Sequence, residues 1–136
     1  MSLVIDASVA ACWIFKNEAT PATDILLTRV QNNGAIVPAL WNWEMANLLA
    51  IGIRRARLTM ADATAQLIDL ARLPIATDAE AQDRAWRETF ALANAHALTA
   101  YDAAYLELAV RASLPLATKD DELRKAASAI GVQVLP

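Results

Sequence analysis

Short apolar segments alternate with longer segments of helical periodicity along almost the whole chain, and this alternation constrains the fold more than any other feature. Five apolar segments are predicted to be strands, at 2–5, 36–37, 73–76, 114–117 and 132–135. Helical spacing predicts helices at 9–15, 21–32, 41–55, 61–71, 78–96, 99–112 and 121–130. Strands joined through helices favour a mostly parallel sheet with right-handed connections. The chain is therefore predicted to be α/β, a three-layer α/β/α sandwich with a short central sheet.

Length and composition restrict the class of protein. The 136 residues, 57% hydrophobic and 20% charged, are typical of one ordered domain, predicted here as 1–136. No apolar run reaches the roughly 18–20 residues that cross a bilayer, and the first residues lack the pattern of a signal peptide. We expect a cytoplasmic protein with no membrane partner. The single cysteine, Cys12, is expected to be a core residue.

Charge limits how the chain can bind nucleic acid. The net charge of −3 argues against a broad positive face for duplex DNA, so any contact with nucleic acid must be local. The arginines at 54, 55 and 57 provide one candidate contact. A solvated helix end is the alternative interpretation of the same cluster, because cations near a helix C-terminus interact favourably with its dipole.

Acidic residues follow two predicted strands and also begin or occupy predicted helices. Asp6 follows the first strand, and the doublet Asp120-Asp121 follows the fourth. Asp102 lies three residues after Thr99 in a T-x-x-D pattern. Each of these positions also fits an ordinary helix cap or first turn, so position alone leaves both interpretations open.

Glu44 differs from the other acids because its neighbours in the predicted third helix are apolar. A buried glutamate requires a hydrogen-bonding partner or a metal ion. Asn47 lies one helical turn further and shares its face. The pair Glu44 and Asn47 therefore adds to the candidate site.

Asp6 and Asp120 would converge at one sheet edge if their strands are neighbours, because parallel strands end at the same edge. Carboxylates that close raise one another's pKa, and a divalent cation such as Mg²⁺ or Mn²⁺ removes the conflict through oxygen ligands. Zinc is disfavoured, since the chain has one histidine and one cysteine. The sequence therefore favours a hard-metal carboxylate site.

Other catalytic arrangements lack the necessary residues. His96 is the only histidine, and no G-x-S-x-G nucleophile motif accompanies it. No glycine-rich phosphate loop is present either. Serine hydrolase and P-loop nucleotide-binding chemistry are both disfavoured.

Four motifs in order give the chain a family resemblance. They are a strand followed by D-A-S, E-x-x-N in the third helix, T-x-x-D before a late helix, and A-T-K-D-D-E-L after a strand. This combination resembles the PIN-domain ribonucleases, with VapC-type toxins the most similar group, and it spans essentially the whole chain. The resemblance implies that the acidic quartet consists of Asp6, Glu44, Asp102 and Asp120.

The resemblance also implies supporting residues. Ser8 and Thr118 match polar positions that assist the metal site or its water ligands. Two interpretations of Asp121 stay open: it contributes to the site beside Asp120, or it acts only as a helix cap.

By the same resemblance, the activity is an endoribonuclease that hydrolyses RNA phosphodiester bonds with water activated by carboxylate-bound Mg²⁺ or Mn²⁺. The implied partners are an RNA substrate, a second copy of the chain in a homodimer, and a cognate antitoxin protein that covers the site. Trp13, Trp41 and Trp43 are candidates for such interfaces, with core packing as the alternative. The alternative function is a catalytically silent PIN-like binding module that acts through a protein partner.

Overall fold

The computed structural model describes residues 2–136, and a parallel sheet forms its centre. The strands are Val4–Ile5 (β1), Ala35–Pro38 (β2), Ile75–Asp78 (β3), Leu116–Ala117 (β4) and Val134–Leu135 (β5). Their order across the sheet is β3-β2-β1-β4-β5, and each neighbouring pair is parallel. The strand order reverses between β1 and β4, which is where ligands bind in open α/β sheets.

Helices connect the strands and make up most of the remaining chain. They are Ala7–Ile14 (α1), Pro21–Asn33 (α2), Leu40–Arg54 (α3), Met60–Arg72 (α4), Ala81–Arg84 (α5), Phe90–His96 (α6), Ala100–Ala112 (α7) and Asp121–Ala129 (α8). A 3₁₀ turn, Lys16–Glu18, follows α1, and a π-helical turn, Ala85–Thr89, joins α5 to α6. The predicted α/β sandwich with a parallel central sheet is confirmed.

Local signals in the sequence explain where several helices begin and end. The Thr20 and Thr59 side chains cap α2 and α4, and each forms a reciprocal capping box with the residue three positions later. Gly34 ends α2 with φ of 74°, a conformation that glycine adopts without strain. The predicted stop at 32–34 is confirmed.

The buried core joins the sheet to α1, α3 and α7. All side chains of β1 and β4 are fully buried, as expected for central strands covered on both faces. Helix α7 packs against β1, β2 and β4. Cys12 is buried, as expected, and so is Trp41, whereas Trp13 is half-buried and donates from its indole nitrogen to the Thr23 carbonyl at 2.9 Å.

Some predicted boundaries were wrong. The predicted helix 78–96 begins at Ala81, because Asp78 is the last residue of β3 and pairs in register with Pro38. The predicted strand 73–76 lies two residues further along, since Leu73 is still the C-cap of α4. The first, fourth and fifth strands each begin two residues later than predicted, at Val4, Leu116 and Val134.

Among residues 2–136, no helix is both long enough and apolar enough to cross a lipid bilayer.

Candidate functional site

Asp6 lies at the carboxyl end of β1, next to the point where strand order reverses. Its side chain caps α1, because its Oδ1 accepts a hydrogen bond from the Val9 N–H at 3.2 Å, and the same oxygen accepts from the Ser8 hydroxyl at 2.6 Å. The Thr118 hydroxyl donates to its Oδ2. Asp6 is only 5% exposed, and this burial raises the pKa of its carboxyl, although the hydrogen bonds from Ser8 and Thr118 oppose the rise. Asp6 is therefore both the N-cap of α1 and a candidate site residue.

The segment after β4 brings Asp120 to the same edge of the sheet. Register pairs Ile5 with Ala117, so the residues that follow the two strands lie side by side. The Ser8 hydroxyl accepts from the Lys119 N–H at 2.9 Å, and the Thr118 hydroxyl accepts from the Asp120 N–H at 3.1 Å. Ser8 and Thr118 thus fix the segment that carries Asp120 to the segment that carries Asp6.

Asp120 also caps α8. Its Oδ1 accepts from the Leu123 N–H at 2.8 Å, and its side chain lies at an exposed position. Asp121, the next residue, is the first residue of α8 and is exposed as well. The doublet therefore consists of a helix-capping residue, Asp120, and a first-turn residue, Asp121.

Glu44 reaches the site from α3 and is bound to Tyr105 of α7. The Tyr105 hydroxyl donates to Glu44 Oε1 at 2.5 Å, and Tyr105 itself is 1% exposed. Burial raises the pKa of the Glu44 carboxyl, the hydrogen bond from Tyr105 lowers it, and the charges of Asp6 and Asp102 raise it. Glu44 therefore has the partner that was expected of a buried glutamate, but it is only half-buried, because its neighbours Trp43 and Ala46 are exposed.

Asp102 approaches from the first turn of α7. The Thr99 hydroxyl accepts from its N–H at 3.1 Å, so Thr99 is the helix cap, as the T-x-x-D pattern indicated. Burial is the main cause that raises the pKa of Asp102, and the charges of Asp120 and Asp6 add to it. These charges, together with the effect of Asp6 and Asp102 on Glu44, link all four acids electrostatically.

We call Asp6, Glu44, Asp102 and Asp120 the acidic site. Their donor set is entirely oxygen. Burial first and mutual repulsion second raise the pKa of Glu44 and of Asp102, and a bound Mg²⁺ or Mn²⁺ would relieve that repulsion. The residues fit such a cation in kind. Within residues 2–136, however, no three acidic, histidine or cysteine side chains come close enough together to form a ready-made metal cluster.

Hydrogen bonds within the protein already occupy several oxygens of the acidic site. Asp6 uses both oxygens on hydroxyl groups, Glu44 uses one on Tyr105, and Asp120 uses one on the start of α8. A cation bound by these carboxylates would have to replace or share those bonds. The acidic site is therefore assembled around hydroxyl partners.

Two further residues singled out in the sequence, Asn47 and Arg57, make no hydrogen bond to the four acids among those described. Asn47 is exposed on α3, one turn beyond Glu44. Arg57 pairs with Glu18 at 3.0 Å and stacks over the Phe15 ring at 3.9 Å, a structural role that favours the helix-end interpretation for this arginine. Sequence reasoning missed the role of Tyr105, although its position three residues after Asp102 places both on one face of α7.

A second charged cluster was also missed. Arg111 binds Asp78 at 2.7 Å and Glu107 at 2.7 Å, and the Glu107 and Asp78 side chains are 4% and 9% exposed. The hydrogen bond from Arg111 holds the pKa of Asp78 below its usual range. This cluster fastens α7 to the end of β3.

The chain is similar to known proteins over most of its length. The family model described as PIN domain matches residues 3–129. Ribonuclease VapC3 of Pyrobaculum aerophilum is 31% identical over 123 residues, which cover 90% of this chain and 92% of that protein. The crystal structure of PAE2754 from Pyrobaculum aerophilum matches with a TM-score of 0.72 at 21% identity, and the match covers 98% of this chain and 89% of that one. The structural match bears on the fold alone.

Proposed function

The chain belongs to the PIN-domain family, and from this membership we propose that it is a metal-dependent endoribonuclease and the toxin of a toxin-antitoxin pair. The observation that carries the proposal is the acidic site at the strand-order reversal between β1 and β4. The relative Ribonuclease VapC3 is named as a ribonuclease, which supports RNA as the substrate.

The residues that would hold Mg²⁺ or Mn²⁺ are Asp6, Glu44, Asp102 and Asp120. When bound, the cation supplies Lewis-acid chemistry, which lowers the pKa of water and offsets charge on the phosphate oxygens. No histidine base is needed for such hydrolysis, which suits a chain whose one histidine lies at the end of α6.

The protein's own part is to fix the carboxylates before substrate arrives. Ser8 and Thr118 hold the Asp6 carboxylate, and Tyr105 orients Glu44. Because a hydroxyl group can donate and accept at once, Ser8 and Thr118 hold Asp6 while they accept from the backbone of the segment that carries Asp120. Ser8, Thr118 and Tyr105 are therefore positioning residues in this proposal.

The proposed partners follow from the family. They are a second copy of the chain in a homodimer and a cognate antitoxin that covers the acidic site, and the proposed location is the cytoplasm. An antitoxin side chain that carries a positive charge would compete with a cation for the four carboxylates.

Two adjacent aspartates allow a matched test. We expect purified protein to cleave a pool of structured RNAs in Mn²⁺, with a loss of at least about a hundredfold in Asp120→Asn, because removal of a metal ligand costs no less than removal of an outer partner. Asp121→Asn, a change of the same chemistry one residue away, is expected to retain cleavage. Equal losses in both variants would contradict the assigned quartet. Cleavage by neither the wild type nor any variant, with antitoxin binding intact, would favour the catalytically silent binding module.

A further inference from the structure

Two exposed aromatic residues flank the acidic site in the chain, one on each helix that contributes to the Glu44–Tyr105 bond. Trp43 precedes Glu44 on α3 and is 76% exposed, and Tyr101 precedes Asp102 on α7 and is 65% exposed. Trp86 and Phe90 are exposed as well, but Trp43 and Tyr101 are the exposed rings that adjoin residues of the acidic site, where a ligand could contact them.

Helical spacing relates Tyr101 to the site. Tyr101 lies four residues before Tyr105, so the two tyrosines occupy one face of α7 in successive turns. Tyr105 is buried and binds Glu44, whereas Tyr101 is exposed one turn nearer the start of α7. Tyr101 therefore continues the site-facing side of α7 out to the solvent.

The charge of the acidic site makes ordinary phosphate binding weak. Across the segments that carry it, 6–8, 40–47, 99–105 and 118–122, Lys119 is the only lysine or arginine, and the whole chain carries a net charge of −3. Proteins that hold RNA mainly through its phosphates need several cations. Apart from a cation held by the acidic site, these segments therefore offer little positive charge to RNA, and contacts to the bases would add to the binding free energy.

Resting on the proposed ribonuclease function, we propose that Trp43 and Tyr101 are substrate-binding residues of this site, each stacking on an unpaired base on one side of the phosphate that is cut. Aromatic rings stack on every base, and such contacts require bases that are not already stacked in a duplex. The substrate segment is therefore single-stranded at the site, and base identity matters less than an accessible base face.

The test measures binding separately from cleavage. All variants are made in the Asp6→Asn background, which is expected not to cut, and binding to a labelled single-stranded 12-mer RNA is followed by anisotropy. The same measurement is made with an RNA duplex and with an abasic ribose-phosphate 12-mer. Trp86→Ala provides the matched control, because Trp86 is 93% exposed but lies on the π-helical turn, outside the four site segments.

We expect Trp43→Ala and Tyr101→Ala each to weaken binding of the single strand about tenfold or more, the usual worth of one stacked base. Trp43→Phe and Tyr101→Phe should restore most of the affinity, and Trp86→Ala should leave it unchanged. The abasic 12-mer should bind weakly to every variant. Unchanged affinity in the alanine variants, equal binding of the abasic strand, or no binding of the single strand in the Asp6→Asn background would overturn the proposal. The proposal would also be overturned if both alanine variants changed a dimer to a monomer while RNA and the abasic strand bound with equal affinity.

The two proposals fail in different ways. Metal-dependent cleavage by the wild type with unchanged KM and binding in the alanine variants would refute stacking alone. Absence of cleavage with aromatic-dependent binding would refute the ribonuclease and leave the stacking site.

Discussion

Replacing Tyr105 with phenylalanine isolates the one hydrogen bond that joins α3 to α7 inside the acidic site. The change removes the hydroxyl that donates to Glu44 Oε1 at 2.5 Å and keeps the buried ring. A hydrogen bond to a charged group contributes about 1.5–3 kcal/mol, and because Glu44 is half exposed, water replaces part of it, which leaves about 1 kcal/mol. The same loss should raise the pKa of Glu44 further in the variant, because the hydrogen bond from Tyr105 is the one that lowers it.

The stability deficit of Tyr105→Phe should depend on pH in one direction. In the wild type the Tyr105 bond stabilises ionised Glu44, so its removal costs free energy of unfolding only where Glu44 is charged. The deficit of Tyr105→Phe should be full near pH 8 and should shrink as pH falls through the raised folded-state pKa of Glu44, because the folded protein then holds Glu44 protonated and the hydroxyl has no charge to stabilise.

Urea unfolding in EDTA from pH 5 to 8, followed by circular dichroism, measures this deficit. Tyr101→Phe is the matched control, because it removes an exposed tyrosine hydroxyl from the same helix. The control should show no deficit at any pH. A Tyr105→Phe deficit that is independent of pH, or no larger than that of the control, would refute the argument that the hydroxyl stabilises the Glu44 charge.

Three further outcomes are expected. Arg111→Met should lower the free energy of unfolding by about 3 kcal/mol, because it leaves the nearly buried carboxylates of Asp78 and Glu107 unpaired. Arg84→Met, which removes only surface ion pairs, should have a much smaller effect. Equal urea midpoints for the two variants would contradict this. In EDTA, the free energy of unfolding should rise as pH is lowered from neutral, because burial raises the folded-state pKa of Asp6, Glu44 and Asp102. It should fall again below about 4, as Asp78, whose pKa is lowered, becomes protonated. A free energy of unfolding that only declines from neutral pH downward would contradict the raised pKa values. Mn²⁺ at about a hundred times its Kd should add about 2.7 kcal/mol to wild-type stability in thermal unfolding and markedly less in Asp102→Asn, and equal gains would place the cation elsewhere.

The fold was predictable to the extent that local signals are strong. Alternating apolar and amphipathic segments predicted five strands and the parallel sheet, and the cap at Gly34 was visible as a composition signal. The start of β3 was wrong because Leu73 and Pro74 are apolar residues at a helix end, and apolar character alone does not separate a helix end from a strand. The prediction of Asp78 as a helix residue was wrong for another reason. Its partners Pro38 and Arg111 are distant in sequence, so no local pattern records them.

The acidic site was predictable in its members and less so in its connections. That Asp6 and Asp120 follow neighbouring strands was a conditional prediction, and the β1–β4 pairing meets its condition. The bonds through Ser8 and Thr118 join residues more than a hundred positions apart, and their geometry depends on that pairing. Tyr105 was missed because a tyrosine at helical spacing resembles any core aromatic until its hydroxyl partner is known.

The most direct test of the central claim is the rate of RNA cleavage by the purified chain in EDTA and after Mg²⁺ or Mn²⁺ is restored, measured beside Asp6→Asn and Asp102→Asn. The account predicts no cleavage in EDTA, recovery on addition of either cation, and no recovery in the two variants. Cleavage that persists in EDTA, or that returns in both variants with the cation, would contradict a ribonuclease built on these carboxylates.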